Sequence, residues 1–191
     1  MGIFKKFLYG IYNNTSGKKN SSDCTSFKDK NTAMKHEIDP KSRMHSAEHL
    51  LNQTMVRMFN CGRCFSAHIE KKKSKCDYHF DRSLTEKETR EIEKRVNDVI
   101  KTDMPVTEEY MTREEARTYF KLDRLPEDAG GELRIVRIGD YDACPCIGQH
   151  VNSLREIGTF RIVSSSFDSG VLRIRYKIAQ PAKPQGLSSE Q

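Results

Sequence analysis

The sequence predicts an α+β domain, and three observations carry that expectation. Between Lys41 and Phe59, the residues Met44, Ala47, Leu51, Met55 and Met58 recur at steps of three and four, which draws one buried stripe along a helix. Ile92, Val96, Val99 and Ile100 draw a second stripe behind Thr85-Glu86-Lys87-Glu88, a segment of capping-box form. Elsewhere, short apolar/polar alternations come in pairs separated by turn residues, the pattern of antiparallel hairpins packed with helices.

In chain order, residues 1–38 are rich in Lys, Asn, Ser and Thr with little hydrophobic periodicity, and read as a mobile polar and basic arm. Asp39-Pro40 starts the first helix and Asn60-Cys61-Gly62 ends it. Cys64 to Glu70 and Cys76 to Asp81 alternate around Lys71-Lys72-Lys73-Ser74 and predict a hairpin. The second helix stops before Pro105, and a short strand is expected from Val106 to Tyr110. Thr112-Arg113-Glu114-Glu115 opens a third helix ending near Lys121. Pro126 and Gly130-Gly131 mark a loop before the strand Leu133 to Ile138. Asp140 to Pro145 is expected to be loop, with Cys144 either an alternate ligand or, the favoured reading, a loop residue. A last hairpin joins Ile157–Val163 to Val171–Ile178 through Asp168-Ser169-Gly170. In its second strand Leu172, Ile174, Tyr176 and Ile178 alternate with Arg173, Arg175 and Lys177, giving one buried and one basic face. The domain is expected to span 39–178, with a Pro-, Gln- and Ser-rich disordered tail over 179–191.

Composition narrows the classes. The chain has 191 residues, of which 31% are charged and 36% hydrophobic, polar for a globular protein but not a disordered composition. No apolar run reaches the roughly 18 residues of a membrane span. The opening Met1 to Tyr9 is too short and interrupted for a signal peptide, and Lys6 stands where a myristoylation signal wants Ser or Thr. The six cysteines are therefore expected to be reduced thiols in a cytoplasmic protein. A net charge of +6 favours a polyanionic partner such as tRNA, with no membrane association.

The chemistry concentrates in two short segments. His45 and His49 lie one helical turn apart, so their imidazoles point the same way. Far downstream, Cys146-Ile147-Gly148-Gln149-His150 again spaces two donors by four residues. Imidazole nitrogen and thiolate sulfur suit tetrahedral zinc, and together the two pairs make a four-ligand set. Ser46, Glu48, Gln149 and Asp142 stand beside these segments as candidate catalytic or substrate-pocket residues. Lys71, Lys72 and Lys73 at a hairpin tip, with Arg173, Arg175 and Lys177 on the last strand, are the RNA-binding candidates. Cys61-Gly62-Arg63-Cys64 has no second half and reads as two reduced thiols, while His68 and His79 read as surface residues of strands.

These segments carry a resemblance. The His-x-x-x-His helix followed by Leu50-Leu51, and Arg134 to Asp140 leading to Cys-x-Gly-x-His-Val, resemble the editing domain of alanyl-tRNA synthetases. They are similar also to the free-standing AlaX proteins and to the second additional domain of threonyl-tRNA synthetases. Glu156-Ile157-Gly158 with Phe160, and Val96-Asn97 with Met104-Pro105-Val106, extend the likeness across roughly residues 40–178. The resemblance implies an α+β editing fold and a Zn2+-dependent hydrolase that removes a wrong amino acid from mischarged tRNA, usually serine or glycine from tRNA-Ala. With no room for an aminoacylation domain, it would act in trans. Ile147 and Gln149, and Leu154-Arg155 where relatives tend to carry Thr-Gly, depart from the family pattern at positions that bear on amino-acid specificity.

Two other functions fit parts of the same residues. The scaffold can hold zinc structurally and bind tRNA or a protein without hydrolysis. His45 to His49 also matches the H-x-x-E-H pattern of inverted zinc peptidases, with Glu48 as base, but Cys146 and His150 have no place in that scheme.

Overall fold

The computed structural model describes residues 38–122 and 131–179, all within the unit His36–Gln191. The expected arm up to residue 37, the tail beyond 179 and the loop at Pro126 and Gly130 lie outside the described residues, while Ala179, expected in the tail, pairs with Thr159 at the end of the last strand. Among the described residues, three α-helices, one 3-10 turn and seven strands form two antiparallel sheets, the α+β class the sequence predicts.

The first helix, α1 (Pro40–Phe59), starts at Asp39, whose carboxylate accepts from Lys41 N, with proline in the first turn. It stops at Asn60 in the left-handed region, φ 53°. Met44, Ala47, Leu51 and Met55 are buried along one side, as the stripe requires. A hairpin follows, β1 (Ser66–His68) and β2 (Ser74–His79), shorter in its first arm than expected. Helix α2 (Glu86–Lys101) carries the full capping box: Thr85 Oγ1 accepts from Glu88 N at 3.2 Å, and Glu88 Oε2 accepts from Thr85 N at 2.8 Å. Thr85→Ala is expected to cost about 1 kcal/mol of stability, readable as a lower urea midpoint with an unchanged slope.

Strand β3 (Val106–Thr112) runs two residues beyond its expected end because Thr112 still pairs with Glu132 of β4 (Glu132–Ile138). Between them lies α3 (Arg113–Tyr119), capped by Thr112 and Glu115. Residues Asp142–Pro145 form a strand, β5, rather than the expected loop, and pair with β4. Four residues ending in proline carry no period-two signal; the pairing is imposed by β4 alongside. Ile157 likewise caps the 3-10 turn Leu154–Glu156 and is not in a strand, because its N–H closes on Leu154 O. The final hairpin, β6 (Thr159–Asp168) and β7 (Val171–Ala179), turns at Ser169-Gly170 as expected.

The larger sheet has the order β1-β2-β7-β6 and the smaller β3-β4-β5. Helices α1 and α2 pack on the larger sheet, where Leu172, Ile174 and Tyr176 of β7 and Cys76 and Tyr78 of β2 face them, all fully buried. Tyr176 takes its hydroxyl into this core and donates to Met44 O at 2.9 Å. On its other face, Lys75 stands opposite Arg175, and Arg161 opposite Lys177. Helix α2 also closes the free side of β6: Asn97 Nδ2 donates to Phe160 O, Phe160 N to Asn97 Oδ1, both at 2.9 Å, and Ile162 N to Glu93 Oε1 at 2.6 Å. A second, smaller core under α3 gathers Ala116, Leu122, Leu133 and Ile135. No described helix is long and apolar enough to cross a membrane.

Candidate metal centre and its cleft

Helix α1 brings His45 and His49 to one side, and the loop leaving β5 brings Cys146 and His150 against them. One donor atom from each of the four lies within 4.8 Å of every other, a set that can hold a metal ion. Cys146 Sγ is 3.4 Å from both His45 Nε2 and His150 Nε2.

Each donor is held by neighbours. His49 Nδ1 donates to Asp142 Oδ2 at 3.1 Å, leaving Nε2 for the cluster. Asp142, itself buried, is gripped on both oxygens by Arg63 at 2.6 and 3.2 Å. His150 Nδ1 lies 3.1 Å from Ser46 Oγ, which also accepts from Val151 N at 3.2 Å. Ser46 is fully buried, so its hydroxyl serves the ring of His150 and does not face the cleft. Arg134 shapes the loop by donating to Cys146 O at 3.1 Å and Gly148 O at 2.8 Å, while pairing with Glu108. Gly148 packs against His45 so closely that an added Cβ would overlap the imidazole.

The electrostatics suit a cation. Burial pushes the Cys146 thiol up, but hydrogen bonds from His150, His45 and His49 outweigh it and bring the pKa down to about 3, favouring the thiolate. Burial lowers His150, favouring the neutral ring that a ligand must be. Burial also pushes Asp142 up, and His49 with Arg63 overcome this to hold its carboxyl below the usual range.

A cleft of about 250 Å3 opens on the cluster, lined by His45, His49 and Cys146 on one wall and by Glu48, Asn52, Arg63, Cys64 and Cys144 among others. Glu48 turns toward the cluster: its Oε2 is 4.0 Å from His49 Nε2, while Oε1 accepts from Asn52 and from the Cys64 thiol at 3.4 Å. Gln149 is exposed and lines a separate cleft of about 320 Å3 with Glu108, Arg134 and His150. Ile147 is 94% exposed.

Cys144, expected in a loop, sits in β5 with its sulfur 3.6 Å from His49 Nδ1. Cys64 is buried beside Glu48 and Cys76, a further group of possible metal donors in which Cys61 takes no part. The cysteines among the described residues are free thiols. His68 is exposed beside Glu70, and exposed His79 stacks on Phe65. Arg63 and Arg134, which fix the donors, escaped the sequence because nothing marks an arginine as a clamp until its partners are folded against it.

Of the basic candidates, Lys71, Lys72 and Lys73 are exposed at the β1–β2 tip, and Lys177 is exposed on β7. Arg175 is half-buried, and Arg173 is bound on two nitrogens by Asp77, each at 2.7 Å.

Residues 133–175 match the model of the family described as the threonyl and alanyl tRNA synthetase second additional domain. Over 152 residues the chain is 34% identical to an alanine–tRNA ligase of Coxiella burnetii, covering 78% of this chain and 18% of the ligase. It is 31% identical over 159 residues to the Methanopyrus kandleri alanine–tRNA ligase, 76% of this chain and 17% of that one. For the Treponema denticola alanine–tRNA ligase the figures are 34% over 139 residues, 69% and 22%. The chain thus spans about a fifth of the length of these curated relatives.

Proposed function

From the premise that this chain carries an alanyl-tRNA synthetase-related, editing-like domain, we propose that it is a zinc-dependent deacylase acting in trans on mischarged tRNA. The substrate is a wrong aminoacyl ester, serine or glycine on tRNA-Ala, and the compartment is the cytoplasm. The observation that carries this is the convergence of His45, His49, Cys146 and His150 on one edge of a cleft.

The donor set fits zinc. Nitrogen and sulfur held tetrahedrally at about 2.1 and 2.3 Å stand about 3.6 Å apart, and the Cys146 sulfur lies 3.4 Å from two of the ring nitrogens. Zinc at such a site supplies Lewis acidity toward an ester carbonyl or a water. The chain's own part is to fix the rings: Asp142 and Arg63 orient His49, Ser46 orients His150, and Arg134 holds the loop that carries Cys146. Asp142→Asn is expected to weaken zinc affinity roughly 10- to 100-fold, measured by competition with a chelator of known affinity. Four protein ligands also form a closed shell of structural type, which favours a second reading as a non-catalytic tRNA-binding relative. Incubating the protein and its His45→Ala variant with Ser-tRNA-Ala and Gly-tRNA-Ala separates the two. Turnover lost in the variant supports the hydrolase; no turnover by the native chain on any mischarged tRNA leaves the binding module.

The tRNA surface is proposed to be the outer face of the larger sheet and the β1–β2 tip. Like charges lie directly across strands at Lys75/Arg175 and Arg161/Lys177, and although Arg161 reaches Glu93 at 3.8 Å, an anion laid over this face would relieve them further. Changing Lys71, Lys72 and Lys73 together to glutamate should weaken tRNA binding and flatten its salt dependence; unchanged affinity at low salt would remove the tip from the footprint. Arg173, spent on Asp77, should contribute least.

A further inference from the structure

Glu48 is a buried carboxylate, 8% exposed, whose two oxygens meet different fates. Oε1 is occupied by the Asn52 amide and the Cys64 thiol, and Asn52 is itself anchored because its Oδ1 accepts from Cys64 N at 2.8 Å. Oε2 accepts no hydrogen bond among the described residues and stands at the cleft, 4.0 Å from His49 Nε2. The guanidinium in the same wall, Arg63, is already bound on two nitrogens to Asp142. Lys121 lines the cleft but is solvent-exposed. His49 lies 4.0 Å from Oε2 and the Arg63 charge is felt at this carboxyl, but neither gives Oε2 a hydrogen bond, and it faces the cavity where a cationic donor can enter.

The ester proposed above brings such a cation. An aminoacyl group carries its ammonium nitrogen about 3 Å from its own carbonyl oxygen. With the ester carbonyl at the mouth of the His/Cys cluster, the ammonium falls on the same scale of distance as Oε2, which lies 4.0 Å from His49 Nε2 and lines the cleft. We infer that Glu48 receives the α-ammonium group of the bound aminoacyl ester and so selects a free aminoacyl end over uncharged acyl groups. The inference rests on the hydrolase reading for the identity of the ligand. Asn52 is the positioning residue, since it fixes Oε1 and leaves Oε2 turned outward.

The probe is 3′-(L-serylamino)-3′-deoxyadenosine, whose amide resists hydrolysis, against its glyceramido counterpart, in which a hydroxyl replaces the ammonium at equal size. Calorimetry on the zinc-loaded protein should find the amine bound about 10- to 100-fold more tightly, the range of a charge-assisted hydrogen bond. Glu48→Gln keeps the shape and an acceptor for Asn52, and should bring the two affinities together at unchanged zinc content and melting temperature. Equal binding of both probes by the native protein overturns the inference, and that arm needs no variant. A preference that survives in Glu48→Gln overturns it as well, including the case where Glu48 acts as a base and the variant loses turnover alone. If the native protein prefers the amine, and Glu48→Gln abolishes the preference, but no mischarged tRNA is hydrolysed, the hydrolase reading fails and the ammonium site stands.

Discussion

Gly148→Ala is expected to abolish zinc binding and, with it, any hydrolysis. The added methyl would occupy the place of the His45 imidazole, and with both backbones fixed it is the ring that must swing away. Residue 45 is carried by α1 between the fully packed neighbours Met44 and Ala47. On the opposite side, Arg134 ties the backbone of Cys146 and Gly148 to β4. The methyl therefore displaces a ligand outright, and the loss of zinc affinity should exceed the roughly 10- to 100-fold typical of an outer partner such as Asp142. Elemental analysis of the purified variant checks this, with circular dichroism to establish that the helices persist. Zinc at the native stoichiometry in Gly148→Ala would mean that the metal does not use His45.

The largest effect on stability is expected from Ile174→Ala. Ile174 is fully buried at the middle of β7, opposite Cys76 and flanked along its strand by Leu172 and Tyr176. Removing it leaves a cavity between two sheet strands and the helices above, a change worth about 2–5 kcal/mol. Against a total of about 5–15 kcal/mol for a domain, urea denaturation should show a large fall in midpoint at nearly constant slope. A shift below about 1 kcal/mol would show that the site collapses around the gap.

The periodic elements were legible from the residues because their causes are local. The stripes of α1 and α2, the Thr85 and Thr112 capping boxes, and the alternation in β7 each place a known side chain on a known face. The two donor pairs could be found because both repeat at a spacing of four, yet their meeting depends on how β5 delivers the loop beside α1, which no local pattern encodes. Strand β5 was missed for that reason, and Cys144 with it. Glu48 shows the same limit from the other side. On a helix its spacing leaves the direction open, and only the contacts with Asn52 and Cys64 turn it to the cleft.

The contacts of Asn97 and Glu93 with β6 have a bearing on assembly. A side-chain amide that mimics a neighbouring strand, and a carboxylate on the next N–H but one, leave that border of the larger sheet with its first polar groups already spoken for. The opposite border, β1, is three residues long and leads into a basic hairpin tip. Pairing of a second copy along the start of β6 or along the short β1 is therefore disfavoured, which limits how far strand-to-strand association could extend the sheet at these places.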